Sequence, residues 1–208
     1  MIELQDIFLK YENAYRNKYR ISIYQDKAIT AIKNCRTNFY GAHIDVCEEC
    51  GNVEISYNSC KNRHCPKCQT ISKERWLDAR KDELLPVKYF HAVFTVPDDL
   101  NPLIYQNKRL MYNLIFKASS ETVKELSEDK KYLGGQIGIT AILHTWGQNL
   151  MFHPHVHMII PGGALTDTRR WQKSKEKFFI PVKVLSRKFR GKLLYYLKED
   201  RDKLKFYG

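Results

Sequence analysis

The cysteines constrain the fold of this chain more than any other feature, because all six lie between residues 35 and 68 of a 208-residue sequence. Two pairs have the Cys-x2-Cys spacing, Cys47 with Cys50 and Cys65 with Cys68, and fourteen residues separate the pairs. Two such pairs can place four thiolates around one Zn²⁺ ion. We therefore predict a small zinc-binding module in residues 1–85, followed by an ordinary hydrophobic domain in residues 86–208.

Four further residues of the same segment could complete a second zinc site: Cys35, Cys60, His43 and His64. The alternative is that both cysteines are small buried hydrophobic residues and that both histidines lie on the surface. The sequence therefore predicts one or two zinc ions. Their role is structural, because a site closed by cysteines leaves no position for a substrate.

The remaining sequence indicates an α+β fold. Residues 89–96 are rich in aromatic and β-branched side chains, which are typical of a strand, and residues 136–146 and 155–160 predict two more. Helices are predicted in the N-terminal stretch, over residues 71–85, from Asn101 onward and again from about Ser186. This order predicts an N-terminal helical module, then an antiparallel sheet with helices on one side.

The stretch from His153 to Ile160 indicates a second kind of metal site. Side chains alternate between the two faces of a strand, so His155 and His157 project together. Two imidazoles on one face can bind one metal ion. The neighbouring predicted strand should supply a third ligand, and Gln148, His144 and His153 are the candidates. Gln148 is preferred, because its neutral oxygen suits a weakly held Mg²⁺ or Mn²⁺; the alternative is that Gln148 only caps a turn.

The charge of the chain favours a polyanionic partner. There are 35 Lys and Arg against 23 Asp and Glu, which gives a formal net charge of +12 and a pI near 9.4. A membrane surface is the weaker choice, since no segment approaches the roughly 20 apolar residues of a spanning helix. The first residues lack the basic and apolar regions of a secretory signal. We therefore expect a cytoplasmic protein that binds nucleic acid.

Most of that positive charge lies at the C-terminal end. Residues 168–208 contain fourteen Lys and Arg but only four Asp and Glu. Aromatic side chains interrupt this basic segment: Trp171, Phe178, Phe179, Phe189, Tyr195 and Tyr196. Aromatic rings among cations suit single-stranded nucleic acid, whose bases stack and whose phosphates pair with the cations. The candidate nucleic-acid contacts are Arg63, Lys67, Arg169, Arg170, Lys173, Arg187, Lys188 and Arg190.

Several of these stretches resemble one known family, the two-tyrosine HUH transposases of the IS91 type. The resemblance is carried by residues 60–68 (CKNRHCPKC), 94–97 (FTVP), 143–148 (LHTWGQ), 153–157 (HPHVH) and 181–186 (PVKVLS). It implies an HUH-type antiparallel sheet and catalytic roles for His155 and His157. It also implies that the protein binds transposon ends as single-stranded DNA. In this family a metal polarises the scissile phosphate, and a tyrosine forms a phosphotyrosine intermediate in a rolling-circle pathway.

The sequence departs from the family pattern at its end. The nucleophilic tyrosines of such enzymes lie on a helix well after the histidine strand, and this sequence ends at Gly208, before that stretch. We therefore expect an incomplete nuclease domain and assign none of Tyr195, Tyr196 and Tyr207 as nucleophile. The alternative function is a truncated, non-catalytic, zinc-dependent DNA-binding protein. A zinc metalloprotease would need His-Glu-x-x-His, which the sequence lacks.

Overall fold

The computed structural model describes residues 2–174 and 180–206. They divide into two compact units, residues 1–84 and residues 85–208. Three aromatic residues considered above, Phe178, Phe179 and Tyr207, lie outside the described residues. None of the described helices is long and apolar enough to cross a lipid bilayer.

The N-terminal unit combines helices with a β-hairpin. The helices are α1 (Leu4–Lys18), α2 (Ile23–Lys33) and α3 (Pro66–Asp82), and the antiparallel hairpin is formed by β1 (Ala42–Val46) and β2 (Val53–Tyr57). Helix α3 begins five residues earlier than the predicted helix, because Pro66 fits the first turn, where its missing N–H costs no hydrogen bond. The carboxylate of Glu12 binds both Arg16 and Lys33, which ties α1 to α2.

The C-terminal unit contains a three-stranded antiparallel sheet. Its strands are β3 (Tyr89–Thr95), β4 (Thr140–Trp146) and β5 (Phe152–Pro161), in the spatial order β3-β5-β4. The helices are α4 (Asn101–Gln106), α5 (Lys108–Glu128) and α6 (Val182–Glu199), and a small hairpin follows the sheet, β6 (Gly163–Leu165) with β7 (Trp171–Lys173). The predicted α+β fold with an antiparallel sheet is confirmed.

The core of this unit lies on one face of the sheet. On β5, Val156, Met158 and Ile160 are fully buried and pack with residues of α4, α5 and α6. The alternate positions, His155, His157 and Ile159, project from the opposite face. Exposed apolar side chains on the flanking strands show that this second face is open. The alternation in the sequence thus decides which face meets the helices and which remains accessible.

Candidate functional site

The N-terminal unit brings four cysteines together. The Sγ atoms of Cys35, Cys60, Cys65 and Cys68 all lie within 4.8 Å of one another. Cys35 follows the end of α2, Cys60 follows β2, and Cys65 and Cys68 flank the start of α3. The Sγ–Sγ distances are 3.5 Å for Cys35–Cys68 and for Cys60–Cys68, and 3.6 Å for Cys35–Cys65. Four thiolates about 2.3 Å from a central zinc ion would lie roughly 3.8 Å apart, so this cluster fits zinc.

The electrostatics of the cluster also favour a cation. Burial raises the pKa of Cys60, to about 12, against a weaker lowering by the backbone N–H of Asn62. Burial acts in the same direction on Cys68, but hydrogen bonds from Cys35, Cys60 and Cys65 outweigh it and lower the pKa of Cys68 to about 7. Cys68 therefore ionises near neutral pH, whereas burial raises the pKa of Cys35 and of Cys60 and disfavours their thiolates. A bound Zn²⁺ would stabilise the additional thiolates, and the soft sulfur donors suit that ion.

This grouping differs from the one that the Cys-x2-Cys spacing predicts. Cys65 and Cys68 meet Cys35 and Cys60, whereas Cys47 and Cys50 are exposed at the turn between β1 and β2. Spacing identifies pairs that are close along the chain, but the packing of α2 against the start of α3 decides which pairs meet. Cys35 and Cys60, the two cysteines considered for a second zinc site, complete this cluster instead. Cys35 is also almost fully buried, as the alternative of a buried hydrophobic residue predicted.

The histidines of the N-terminal unit do not join a metal cluster among the described residues. His43 lies on β1, where its Nδ1 is 3.3 Å from the amide oxygen of Asn58. His64 is exposed, and its Nε2 accepts a hydrogen bond of 3.2 Å from the Nε of Arg63. Neither histidine lies in the cluster that contains Cys35 and Cys60, so the four candidates for a second zinc site are not grouped together among the described residues.

The C-terminal unit brings three histidines together on the open face of the sheet. His144, His155 and His157 each offer a ring nitrogen, and these atoms lie within 4.8 Å of one another. His144 is directly opposite His155 in the pairing of β4 with β5. His157 lies two residues further along β5, on the same face. The two strands therefore hold three imidazoles that could bind one metal ion.

Two of these imidazoles form their hydrogen bonds through Nδ1 rather than Nε2. The Nδ1 of His155 lies 2.6 Å from the carbonyl oxygen of His153. A carbonyl only accepts, so this Nδ1 carries the proton and Nε2 keeps its lone pair. The Nδ1 of His157 lies 2.7 Å from the Nε2 of His91, on β3. Burial, followed by the neighbouring imidazoles, lowers the pKa of His157 and favours the neutral form that binds metals.

His91 was not among the residues predicted from the sequence. Its ring is stacked on that of His157, with centroids 5.0 Å apart and planes within 8° of parallel. The sequence contained part of the signal, because His91 lies within a predicted strand. What it lacked was the strand order: β5 lies between β3 and β4, so residues of β3 are as close to the histidine strand as residues of β4.

Of the three residues predicted as the third ligand of the histidine site, only His144 lies in the cluster. His144 joins the cluster, whereas the preferred candidate, Gln148, is exposed in the turn after β4. Strand β4 ends at Trp146, so the alternation that would have placed Gln148 on the histidine face stops before it. The Nδ1 of His153 is 3.1 Å from a carboxylate oxygen of Asp98. Three imidazoles fit a divalent transition-metal ion better than Mg²⁺, which prefers oxygen ligands.

Helix α6 lies on the other side of the sheet. Phe189 of α6 contacts Phe94, whose neighbour in the pairing is the buried Val156. The hydroxyl of Tyr196 donates a hydrogen bond to Glu121 of α5, and this bond raises the pKa of Tyr196. Tyr196 thus belongs to the interface of α5 with α6, on the face opposite the histidines, while Tyr195 beside it is exposed.

The candidate nucleic-acid contacts differ in how free their charges are. Lys67 forms an ion pair of 2.5 Å with Glu3, and Lys188 forms one of 2.7 Å with Glu125. The others are exposed, and within the described part of the chain they have no acidic partner at ion-pair distance: Arg63, Arg169, Arg170, Lys173, Arg187 and Arg190. Three of them lie on the hairpin of β6 and β7 or in its turn, and two lie on α6.

Comparison with known proteins gives matches to two family models. A family model described as "Transposase zinc-binding domain", of the IS91 type, matches residues 7–96, and a second described as "Putative transposase" matches residues 138–206. The first contains the cysteine cluster and the second the histidine cluster. The chain therefore belongs to the IS91-type transposase family, and its N-terminal match is to the zinc-binding domain of that family.

Two curated relatives are similar over most of this chain. "Putative transposase y4qJ" of Sinorhizobium fredii is 46% identical over 99% of this chain and 53% of its own length. The transposase for insertion sequence element IS801 of Pseudomonas savastanoi is 30% identical over 70% of this chain and 35% of its own length. The chain therefore spans about half the length of the first relative and about a third of the length of the second. Among solved structures, the conjugative relaxase TrwC in complex with oriT DNA is 14% identical, over 52% of this chain and 42% of its own, with a TM-score of 0.43.

Proposed function

We propose that this chain is the zinc-binding and metal-binding part of a rolling-circle transposase that engages single-stranded DNA at transposon ends. The observation that carries this proposal is the cluster of His144, His155 and His157 on one sheet face, where His144 and His157 are partly exposed and His155 is buried. The match to transposase families supports the same conclusion. The zinc cluster stabilises the N-terminal unit, and its surroundings add positive charge for DNA.

In this proposal the residues of the chain bind and orient the DNA strand. A divalent metal held by the three histidines would polarise the scissile phosphate. His153 fixes the ring of His155 through its carbonyl oxygen, and His91 fixes the ring of His157, so that both imidazoles keep the orientation that metal binding needs. The exposed arginines and lysine of the β6–β7 hairpin would neutralise phosphates of the same strand.

The second candidate function is a zinc-dependent DNA-binding protein without cleavage activity. It is favoured by the position of α6, whose Tyr196 hydroxyl bonds to Glu121 on the opposite side of the sheet from the histidines. A denaturing gel that detects covalent protein–DNA adducts separates the two functions for this chain. We expect no adduct that depends on Tyr195 or Tyr196. An adduct that disappears when either tyrosine becomes Phe would contradict this placement of α6.

Binding to single strands is expected to fall steeply with salt, because phosphate neutralisation releases counterions. The log–log slope should be about −0.7 per phosphate contacted. Replacing Arg169, Arg170 and Lys173 together by Gln should make the slope shallower by up to about 2. The control is Lys188→Gln, since Glu125 already pairs with that lysine and the slope should change less. Salt-insensitive binding, or tighter binding to duplex of the same sequence, would count against the proposal.

His91 is expected to act as a positioning residue for His157. The variant His91→Ala should weaken Mn²⁺ binding by roughly 10- to 100-fold, the usual effect of losing a hydrogen-bond partner of a metal ligand. His91→Gln keeps a side-chain acceptor and should recover part of the affinity. His64→Ala removes an exposed imidazole of the other unit and serves as the control. Isothermal titration with Mn²⁺ measures the affinity of each of the three variants. Equal Mn²⁺ affinities for His91→Ala and the unaltered chain would exclude a positioning role for His91.

A further inference from the structure

Trp146 lies beside the histidine cluster with much of its ring exposed. It is the last residue of β4 and is 53% exposed, although tryptophan is usually well covered in folded proteins. Its ring stacks on that of His144, with centroids 5.6 Å apart and planes within 8° of parallel. One side of the indole is thus directed toward a candidate metal ligand, which holds the ring in a fixed orientation.

The described side chains that share the sheet face with Trp146 are largely apolar, and Asp98, which follows β3, is paired with His153. The sheet face that bears the histidines also carries Val93, Ile142 and Ile159, each more than a third exposed. The turn that follows β4 adds the exposed side chains of Leu150 and Met151. The positions of β3, β4 and β5 that project from this face are all described and include no Asp or Glu. This surface therefore suits a flat, uncharged ring attached to an anionic backbone.

We propose that Trp146 is a stacking platform for one unpaired nucleobase of the DNA strand whose phosphate is bound at the histidine cluster. The proposal rests on the proposed function, because that function places a phosphate within one nucleotide of Trp146. A base stacks on the side of the indole that His144 leaves free. In duplex DNA the neighbouring base pairs cover both faces of each base, so only an unpaired base can use this platform. Stacking of this kind is tolerant of sequence.

The emission of Trp146 gives a direct test, because the chain has only three tryptophans. The double variant Trp76→Phe/Trp171→Phe leaves Trp146 as the only tryptophan. Titration with an oligothymidylate at a fixed, saturating Mn²⁺ concentration should quench its emission, with the midpoint measured by fluorescence anisotropy of a labelled strand. In the control, Trp146→Phe/Trp171→Phe, Trp76 of the N-terminal unit remains and should be quenched less.

A second variant measures the energetic contribution of the ring. Trp146→Leu should lower affinity for the oligothymidylate by roughly 5- to 150-fold, the usual range for loss of one aromatic–base stack. Trp146→Phe should lose less, and both variants should keep the zinc content of the unaltered chain, with affinities compared at Mn²⁺ concentrations that saturate each variant. A strand with an abasic nucleotide at the stacked position should bind equally well to Trp146→Leu and to the unaltered chain.

Four outcomes would overturn the inference. Oligothymidylate that binds without quenching Trp146, or that binds Trp146→Leu with full affinity, would exclude the platform and leave the proposed function intact. Emission of Trp146 that is already blue-shifted without DNA, and unchanged by it, would show that protein covers the ring. If the unaltered chain binds no oligothymidylate at all, the proposed function fails and this inference fails with it.

Discussion

Replacing Cys65 by Ser is expected to abolish zinc binding and to unfold the N-terminal unit. Cys65 is almost fully buried, and its sulfur lies among those of Cys35, Cys60 and Cys68. The described hydrophobic cluster around these sulfurs is small, with Ile32 as its buried aliphatic residue. The unit therefore depends on the metal for its core. Structural zinc contributes a binding free energy of about 10–16 kcal/mol in small zinc-binding domains. This exceeds the free energy of unfolding that is typical of a small folded unit.

The matched control is Cys47→Ser, at the exposed turn between β1 and β2. It removes a thiol of the same spacing motif but leaves the four-cysteine cluster unchanged, so one zinc ion and the fold should remain. Elemental analysis of protein purified without added metal, together with thermal unfolding and limited proteolysis, measures both variants. Zinc content that survives in Cys65→Ser but is lost in Cys47→Ser would show that the grouping of the cysteines in the structure is wrong.

Replacing His155 and His157 together by Ala is expected to remove Mn²⁺ binding while the zinc content stays unchanged. The double variant removes two of the three ligands, so the loss should exceed the roughly 100-fold effect of removing a hydrogen-bond partner of a ligand. The two metal sites lie in different units, which is why zinc should be unaffected. Mn²⁺ titration and elemental analysis on the same samples give both quantities.

Single variants of the histidine site identify the third ligand. His144→Ala should weaken Mn²⁺ binding strongly, because His144 faces His155 across the two strands. Gln148→Ala and His153→Ala should have small effects, since Gln148 is exposed in a turn and His153 is paired with Asp98. A large loss with Gln148→Ala and none with His144→Ala would restore the ligand set preferred from the sequence.

Local patterns predicted the parts of this molecule that depend on neighbours along the chain. Alternation on a single strand identified His155 and His157 as sharing a face, because that property needs no knowledge of other strands. The aromatic and β-branched residues of β3 identified a strand for the same reason. The helical stripe that follows Asn101 predicted the helical region that α4 and α5 form, with a break at Asn107 that periodicity alone does not locate.

Long-range packing decided the parts that the sequence left open. Cys35 and Cys60 stand outside the two spacing pairs, and only the arrangement of α2, β2 and α3 brings them to Cys65 and Cys68. His91 and Trp146 gain their positions from the strand order and from a register shift between His144 and Trp146. Residue spacing reveals neither the strand order nor the register shift. The positions of His91 and Trp146 could therefore be seen only in the structure.

The most direct test of the central claim is the affinity of the chain for single-stranded DNA, measured by anisotropy with and without Mn²⁺. The unaltered chain should bind the strand more tightly with Mn²⁺, and a duplex of the same sequence more weakly. In the variant His144→Ala/His155→Ala/His157→Ala, Mn²⁺ should have no effect, while salt-dependent binding through the basic side chains remains. An equal gain from Mn²⁺ in that variant, or a preference for duplex, would contradict the assignment of the histidine cluster as a metal site for single-stranded DNA.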